Sequence, residues 1–202
     1  MNARHVGRRQ VGGLLLALGL AACGGSRQEP ATGPENFAPL RYDYLTPLRL
    51  NVASIEVEER FVPGGGDLAG SDPVRPADAI RQMAHDRLQA LGTSGRAVLL
   101  INDASILRRG DSYQGSLAVE LDIYTSANTR AAFAEARVSA SRPITGGEST
   151  RRALYGVTKQ LMDALNVELE YQMRRSLRDW LVEEPAAPAP VQQQALPPPP
   201  RV

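Results

Sequence analysis

Leu117, Val119, Leu121 and Ile123 alternate with Ala118, Glu120, Asp122 and Tyr124. A period of two sends successive side chains to opposite faces of a strand, so this segment has one buried and one more polar face. Its neighbours extend the pattern. Upstream, Ala97 to Ile101 is a continuous apolar run, as in a strand covered on both sides, and it continues through Asn102-Asp103-Ala104 to Ile106 and Leu107. Arg108-Arg109-Gly110-Asp111-Ser112 supplies turn chemistry between the two. Downstream, Ser126-Ala127-Asn128 makes a second turn. Ala132, Ala134, Ala136, Val138 and Ala140 then alternate with Phe133, Glu135, Arg137 and Ser139. An alanine-rich helix competes as a reading there, but the period of two and Pro143 favour a third strand. Strands joined by tight turns form an antiparallel meander. Glu120, Asp122, Glu135 and Arg137 fall on its polar face and read as cross-strand ion pairs rather than an acidic ligand surface.

The flanking segments complete the domain. Leu48, Leu50 and Val52 alternate with Arg49 and Asn51, and then the parity changes to Ile55 and Val57. A strand cannot slip by one residue without turning its apolar face outward, so a bulge or bend is expected near Ala53-Ser54. Pro76 suits the first position of a helix, Ile80, Met83, Ala84, Leu88 and Leu91 make its stripe, and Gly92 makes its stop. His85 lies one residue off that stripe and reads as a surface histidine. Ser149 is the expected N-cap of a long helix striped by Leu154, Val157, Leu161, Leu165 and Leu169 and extended by Met162, Met173, Leu177 and Trp180. Asn166 marks an expected kink, and a helix of this length is expected to overhang a small sheet. The order is β-α-β-β-β-α: an α+β fold with an antiparallel sheet of about four strands and two helices packed on one face.

The start of the chain has a different character. Arg4, Arg8 and Arg9 precede Leu14 to Cys23, read as LLLALGLAAC. A basic region, an apolar stretch and small residues at a cleavage point are the parts of a secretory signal. As a helix, Val11 to Ala22 would cover only ~18 Å of a ~30 Å hydrocarbon layer, and Gly12, Gly13 and Gly19 weaken it, so a permanent span is not expected. Cys23 is the only cysteine, and a lone thiol in an exported chain cannot form an internal disulfide. Leu20-Ala21-Ala22-Cys23 resembles the lipobox of bacterial lipoproteins. That resemblance implies a diacylglycerol thioether on Cys23, cleavage between Ala22 and Cys23, and acylation of the new amino group. The alternative is a coincidental cysteine beside a simple signal. Several acyl chains hold a protein on a bilayer where one holds it only marginally. Gly24 follows the cysteine, where many lipoproteins retained in the inner membrane carry Asp; the resemblance therefore implies the outer membrane, facing the periplasm, with the periplasmic side of the inner membrane as alternative.

The expected organisation is a signal peptide over 1–22, a lipidated tether over 23–40, one periplasmic domain over 41–183 and a Pro-rich tail over 184–202. Removing Arg4, Arg8 and Arg9 takes the 23 basic residues to 20 against 22 acids, a net charge near −2. No basic bias points to nucleic acid. His5 leaves with the signal and Cys23 is blocked by lipid, leaving His85 as the sole histidine. Cys–His pairs and multi-histidine metal sites are thereby excluded, and no G-x-S-x-G elbow is present. No catalytic residue, metal or cofactor is expected, and an enzyme is the least favoured class. The element order looks like small envelope lipoprotein domains: the auxiliary lipoproteins of ABC-type lipid transport, the assembly lipoprotein of the lipopolysaccharide export channel, and the N-terminal domain of the Tol-system translocation protein. That similarity implies a non-enzymatic component of an envelope transport or assembly complex. The alternative is a stand-alone binder of a lipid or cell-wall ligand. Arg174, Arg175, Arg178 and Trp180 form the expected partner surface, and Arg151-Arg152 is a further anion candidate.

Overall fold

The computed structural model describes residues 35–182. The signal peptide, Ala22, Cys23 and the tail over 184–202 lie outside the described residues, as does all of the tether up to residue 34. From Asn36 onward the described chain belongs to one compact unit. The strands are β1 Leu48–Leu50, β2 Ser54–Glu59, β3 Leu88–Ala90, β4 Arg96–Arg109, β5 Ser112–Tyr124 and β6 Arg130–Pro143; the α-helices are α1 Pro76–Arg87 and α2 Thr150–Ser176.

The meander forms as the alternation requires. In β5, Leu117, Val119, Leu121 and Ile123 are fully buried, and β4 and β6 flank it antiparallel. Gly110, at φ 56°, turns β4 into β5, and Asn128, at φ 58°, turns β5 into β6. A bulge between Ile101 and Asp103 restores the parity of β4, so Leu99 and Ile101, and then Ala104 and Ile106, all point into one core. Val98 and Leu100 point the other way and are still only 2% exposed. Their in-register neighbours on that face are Glu56 and Glu58 on one side and Asp122 and Glu120 on the other.

The sheet is mixed, not purely antiparallel. Its order is β2-β4-β5-β6, and β2 runs parallel to β4. The reason is topological. β2 reaches β4 through α1, and a crossover helix returns the chain to the same end of the sheet, which makes the two strands parallel. The bend near Ala53-Ser54 is real and goes further than a bulge: it ends β1 after Leu50 and starts β2 at Ser54 in a different sheet. β1 instead pairs parallel with β3 in a small two-stranded sheet. That strand replaces the last turn expected of α1. The helix stops at Arg87, Leu88 is extended, and Leu91 is 54% exposed instead of sharing the core stripe. Gly92 is therefore no helix stop. Its N–H donates to the Val52 carbonyl at 2.9 Å, and a Cβ there would meet the backbone of Asn51 and Val52 at 2.5 Å.

α2 packs across β5 and β6, and α1 lies over β2 and β4 on the same face. Ser149 caps α2 as expected, its hydroxyl accepting from the Arg152 N–H at 3.2 Å. α2 does not overhang the sheet. Strands of 13 and 14 residues span ~45 Å against ~40 Å for the helix, and Leu169, Met173 and Leu177 are fully buried. Nor does Asn166 break it: the side chain donates to the Met162 carbonyl at 2.8 Å inside a continuous helix. The approach of α2 is close at Gly115 in β5, where a Cβ would lie 2.6 Å from Leu161. Before β1, Tyr42 is buried with its N–H bound to Asp86, and Phe37 packs against Tyr155 with the ring planes tilted by 49°, the Tyr155 hydroxyl donating to the Ala38 carbonyl. The last residues read as tether thus lie against the domain.

Candidate functional site

The end of α2 builds the principal cleft. Beyond Ser176 the chain makes a short 3-10 turn, Arg178–Trp180, and then runs back along β1. Asn51 N–H donates to the Trp180 carbonyl at 2.8 Å, Val182 N–H donates to the Arg49 carbonyl at 2.9 Å, and Leu181 bridges Leu50. Between this return and the helix lies a cleft of about 480 Å³ lined by Thr46, Arg49, Arg174, Arg178, Leu181 and Val182, among others. Three guanidinium groups, one each from β1, the last turn of α2 and the 3-10 turn, thus line one cavity beside the aliphatic side chains of Leu181 and Val182.

Of the residues expected to form a partner surface, Arg174 and Arg178 line this cleft. Arg174 sits in the last turn of α2 and Arg178 opens the 3-10 turn beyond it, after the chain leaves helical geometry at Leu177. Arg175 is exposed but does not line it. Trp180 is half-buried against the core, and its carbonyl is tied to β1. Arg49 was not singled out from the sequence. Its signal was its place between the buried Leu48 and Leu50, which sends it to the opposite face.

The cleft wall is positioned by a buried cation. Arg87, 1% exposed, closes α1; its Nη1 donates to the Asn166 side-chain oxygen at 2.9 Å and its Nη2 to Glu170 at 2.6 Å and to the Thr46 carbonyl at 3.2 Å. One side chain therefore ties α1, α2 and the entry to β1. Glu170 also receives both Arg174 nitrogens, at 3.0 and 3.1 Å. Burial pushes the Glu170 carboxyl up, but the hydrogen bonds from Arg87 and Arg174 outweigh it and hold the group below the usual carboxylate range. Glu170 thus stays ionised and orients Arg174 at the cleft. Planar guanidinium forks suit phosphate and carboxylate oxygens, and Leu181 with the 40%-exposed Val182 suits an apolar neighbour of such a group. The lining is made of arginine, threonine and aliphatic residues.

The outer face of the sheet carries the second charged surface. Arg130 bridges Glu120 and Asp122, lying 2.6 Å from the latter, and Arg137 pairs with Glu135 at 2.9 Å. The four charges read from the sequence do lie on one face, with Arg130 added from the start of β6. Arg130 also lies over the Phe133 ring at 4.2 Å, and Arg96 over Tyr124 at 4.5 Å. Farther along, small side chains leave a trough of about 330 Å³ between Ser105, Ser116, Ser139 and Gln114. His85 is exposed, with Nδ1 3.4 Å from Asp86. Arg151 lies over Phe37, 5.5 Å from the ring centre. Among the described residues no cluster of three potential metal ligands occurs, and no helix is long and apolar enough to cross a membrane.

No family model matches the chain, and no curated protein matches it. Among solved structures, the chain is similar to the crystal structure of a protein from Xanthomonas campestris that carries the DUF330 family model. The TM-score is 0.33 at 11% identity, over 66% of this chain and 96% of the other.

Proposed function

We propose that this protein is a lipid-anchored envelope lipoprotein that works without catalysis as a component of a transport or assembly complex. Lipid on Cys23 holds it to the outer membrane, and the domain faces the periplasm. The observation that carries the reading is the convergence of Arg49, Arg174 and Arg178 on one cleft whose lining offers guanidinium and aliphatic groups. Such a lining recognises an anionic group. The same pairing of charge and aliphatic surface favours a second reading, a stand-alone binder of a lipid with an anionic headgroup.

The full chain, recovered from membranes in mild detergent, separates the two. A stoichiometric protein partner that is lost from the R174E/R178E variant supports the complex. A co-purifying lipid lost from the same variant supports the binder. Recovery of neither from the native chain refutes both. Mass spectrometry of the processed N-terminus tests the anchor independently: a bare Cys23 thiol, or residues 1–22 still attached, would overturn it.

A further inference from the structure

β6 is an edge strand, and the phase of its ladder tells which backbone groups are free. Ile144 N–H donates to the Asp111 carbonyl at 2.8 Å, and the register with β5 is constant from Pro143 to Ala132. Hydrogen-bonded pairs alternate along an antiparallel ladder, so Arg142, Ala140, Val138, Ala136, Ala134 and Ala132 turn their N–H and C=O toward β5. Phe133, Glu135, Arg137, Ser139 and Ser141 turn theirs outward, and among the described residues nothing receives them. Pro143 falls in the outward set, where its missing N–H costs no bond to β5. The edge is long, and the charges on its outward-bonding residues, Glu135 and Arg137, are one acid and one base rather than a repelling row.

The helix layer above this edge is also unpartnered. α2 meets α1 through Asn166 and Glu170, which bind Arg87. On its other flank, Gln160, Ala164, Val167 and Tyr171 recur at i, i+4, i+7 and i+11, a single row. Val167 is 72% exposed and Tyr171 56%. Gly156 begins this flank and packs on Arg142 of β6, where a Cβ would lie 2.9 Å from its guanidinium. An apolar row therefore runs beside the free strand.

Self-pairing explains both features at once. Antiparallel pairing of two β6 strands must bring outward residues together, and only some registers do so. An axis through Glu135 or Arg137 sets like charges opposite each other, which is destabilising. An axis through Ala136 sets Glu135 opposite Arg137 of a second copy, and Arg137 opposite its Glu135. The ion pair now made within each chain is exchanged for two between chains. The helix rows agree with this axis. From Arg142 to Ala136 the strand runs ~20 Å, which α2, returning from Gly156, covers in ~13 residues, arriving within a turn of Val167. The two Val167 side chains therefore meet near the same axis.

We propose that the free edge of β6 and the Gln160-to-Tyr171 row of α2 form an isologous interface with a second copy of this chain, joining two four-stranded sheets into one. The test is the mass of the full chain in mild detergent, by light scattering and sedimentation velocity. The native chain is expected to be a concentration-dependent dimer. E135R sets arginine opposite arginine twice and should raise the dimer dissociation constant at least tenfold, and E135R/R137E should restore it. V167C should give a disulfide-linked dimer that the native chain, with Cys23 as its only cysteine, does not give. A native chain that stays monomeric, as it would if its own tail covered the edge, overturns the proposal. So does an oligomer that E135R leaves unchanged.

Discussion

Arg87→Met isolates the junction on which the cleft rests. Methionine keeps much of the volume in the 1%-exposed site but removes every hydrogen bond Arg87 makes. Four acceptor atoms on three residues lose a donor, and they do not lose equally; the Asn166 main-chain carbonyl, at 3.3 Å, loses the weakest bond. The Asn166 side-chain oxygen is buried and has no other donor among the described residues, so it carries the full penalty of an unsatisfied group, ~1–3 kcal/mol. The Thr46 carbonyl belongs to an exposed residue and turns to water at little cost. Glu170 keeps Arg174 and is 31% exposed, so its loss is softened by solvent. The relief of burying a guanidinium whose Nε has no partner works in the opposite direction. The sum is a loss of ~2 kcal/mol, or ~4–8 °C in Tm for a domain of this size. Urea unfolding at neutral pH measures it, with R87M/N166L as the decisive companion. Replacing both partners by apolar groups removes the orphan and should recover at least half of the loss. If R87M costs less than ~0.5 kcal/mol, or the double variant is no better than the single, Arg87 is not the tie described above.

Three further substitutions address separate links. Tyr42→Phe removes a buried hydroxyl with no partner among the described residues, whose pKa burial drives upward; stability should rise by ~1 kcal/mol, read as an increase in Tm. Gly92→Ala forces a Cβ against backbone that cannot yield and should cost ~1–3 kcal/mol by the same assay. Asp72 is buried, with Thr158 donating to it at 2.6 Å, and burial raises its pKa despite that bond and one from Val74. The folded state then holds its proton to higher pH than the unfolded chain, so the contribution of Asp72 is most favourable below the ordinary carboxylate range and is lost as pH rises through the raised value. Asp72→Asn cannot titrate. The Tm of the variant relative to native should therefore climb between acid and neutral pH, and a flat difference would contradict the reasoning.

Periodicity made the long elements legible. The alternation of β5 and β6 and the stripe of α2 each recur for three or more repeats, and the faces they imply are the faces observed. What the pattern could not carry was pairing direction. The alternation of β2 is the same whether its neighbour runs parallel or antiparallel; only the interposed α1 dictates parallel. The short strands were hidden for another reason. Leu88 and Leu91 continue the spacing of Ile80 and Met83, so a helical stripe runs in sequence past the point where the helix ends. What ends it is tertiary: Leu88–Ala90 finds β1, and a backbone partner outweighs propensity.

The same hidden elements build the cleft, which is why its composition was only half visible. Arg174 and Arg178 stand out as a basic group on one helix, but Arg49 reaches them only because β1 leaves the main sheet, pairs with β3 and receives Leu181 along its other side. Arg87 is more instructive still. Its spacing from Met83 and Ala84 puts it on the apolar stripe of α1, but an arginine at the end of a helix reads as solvated until a buried partner is known. Its burial follows from Asn166 and Glu170, which lie four residues apart on α2 and more than 75 residues away in the chain. A polar Asn inside a leucine stripe was the one trace of this, and it reads as a fault in the helix until its partner is known. Buried polar residues on two amphipathic helices are thus better read together than singly, since each can be satisfied only by the other.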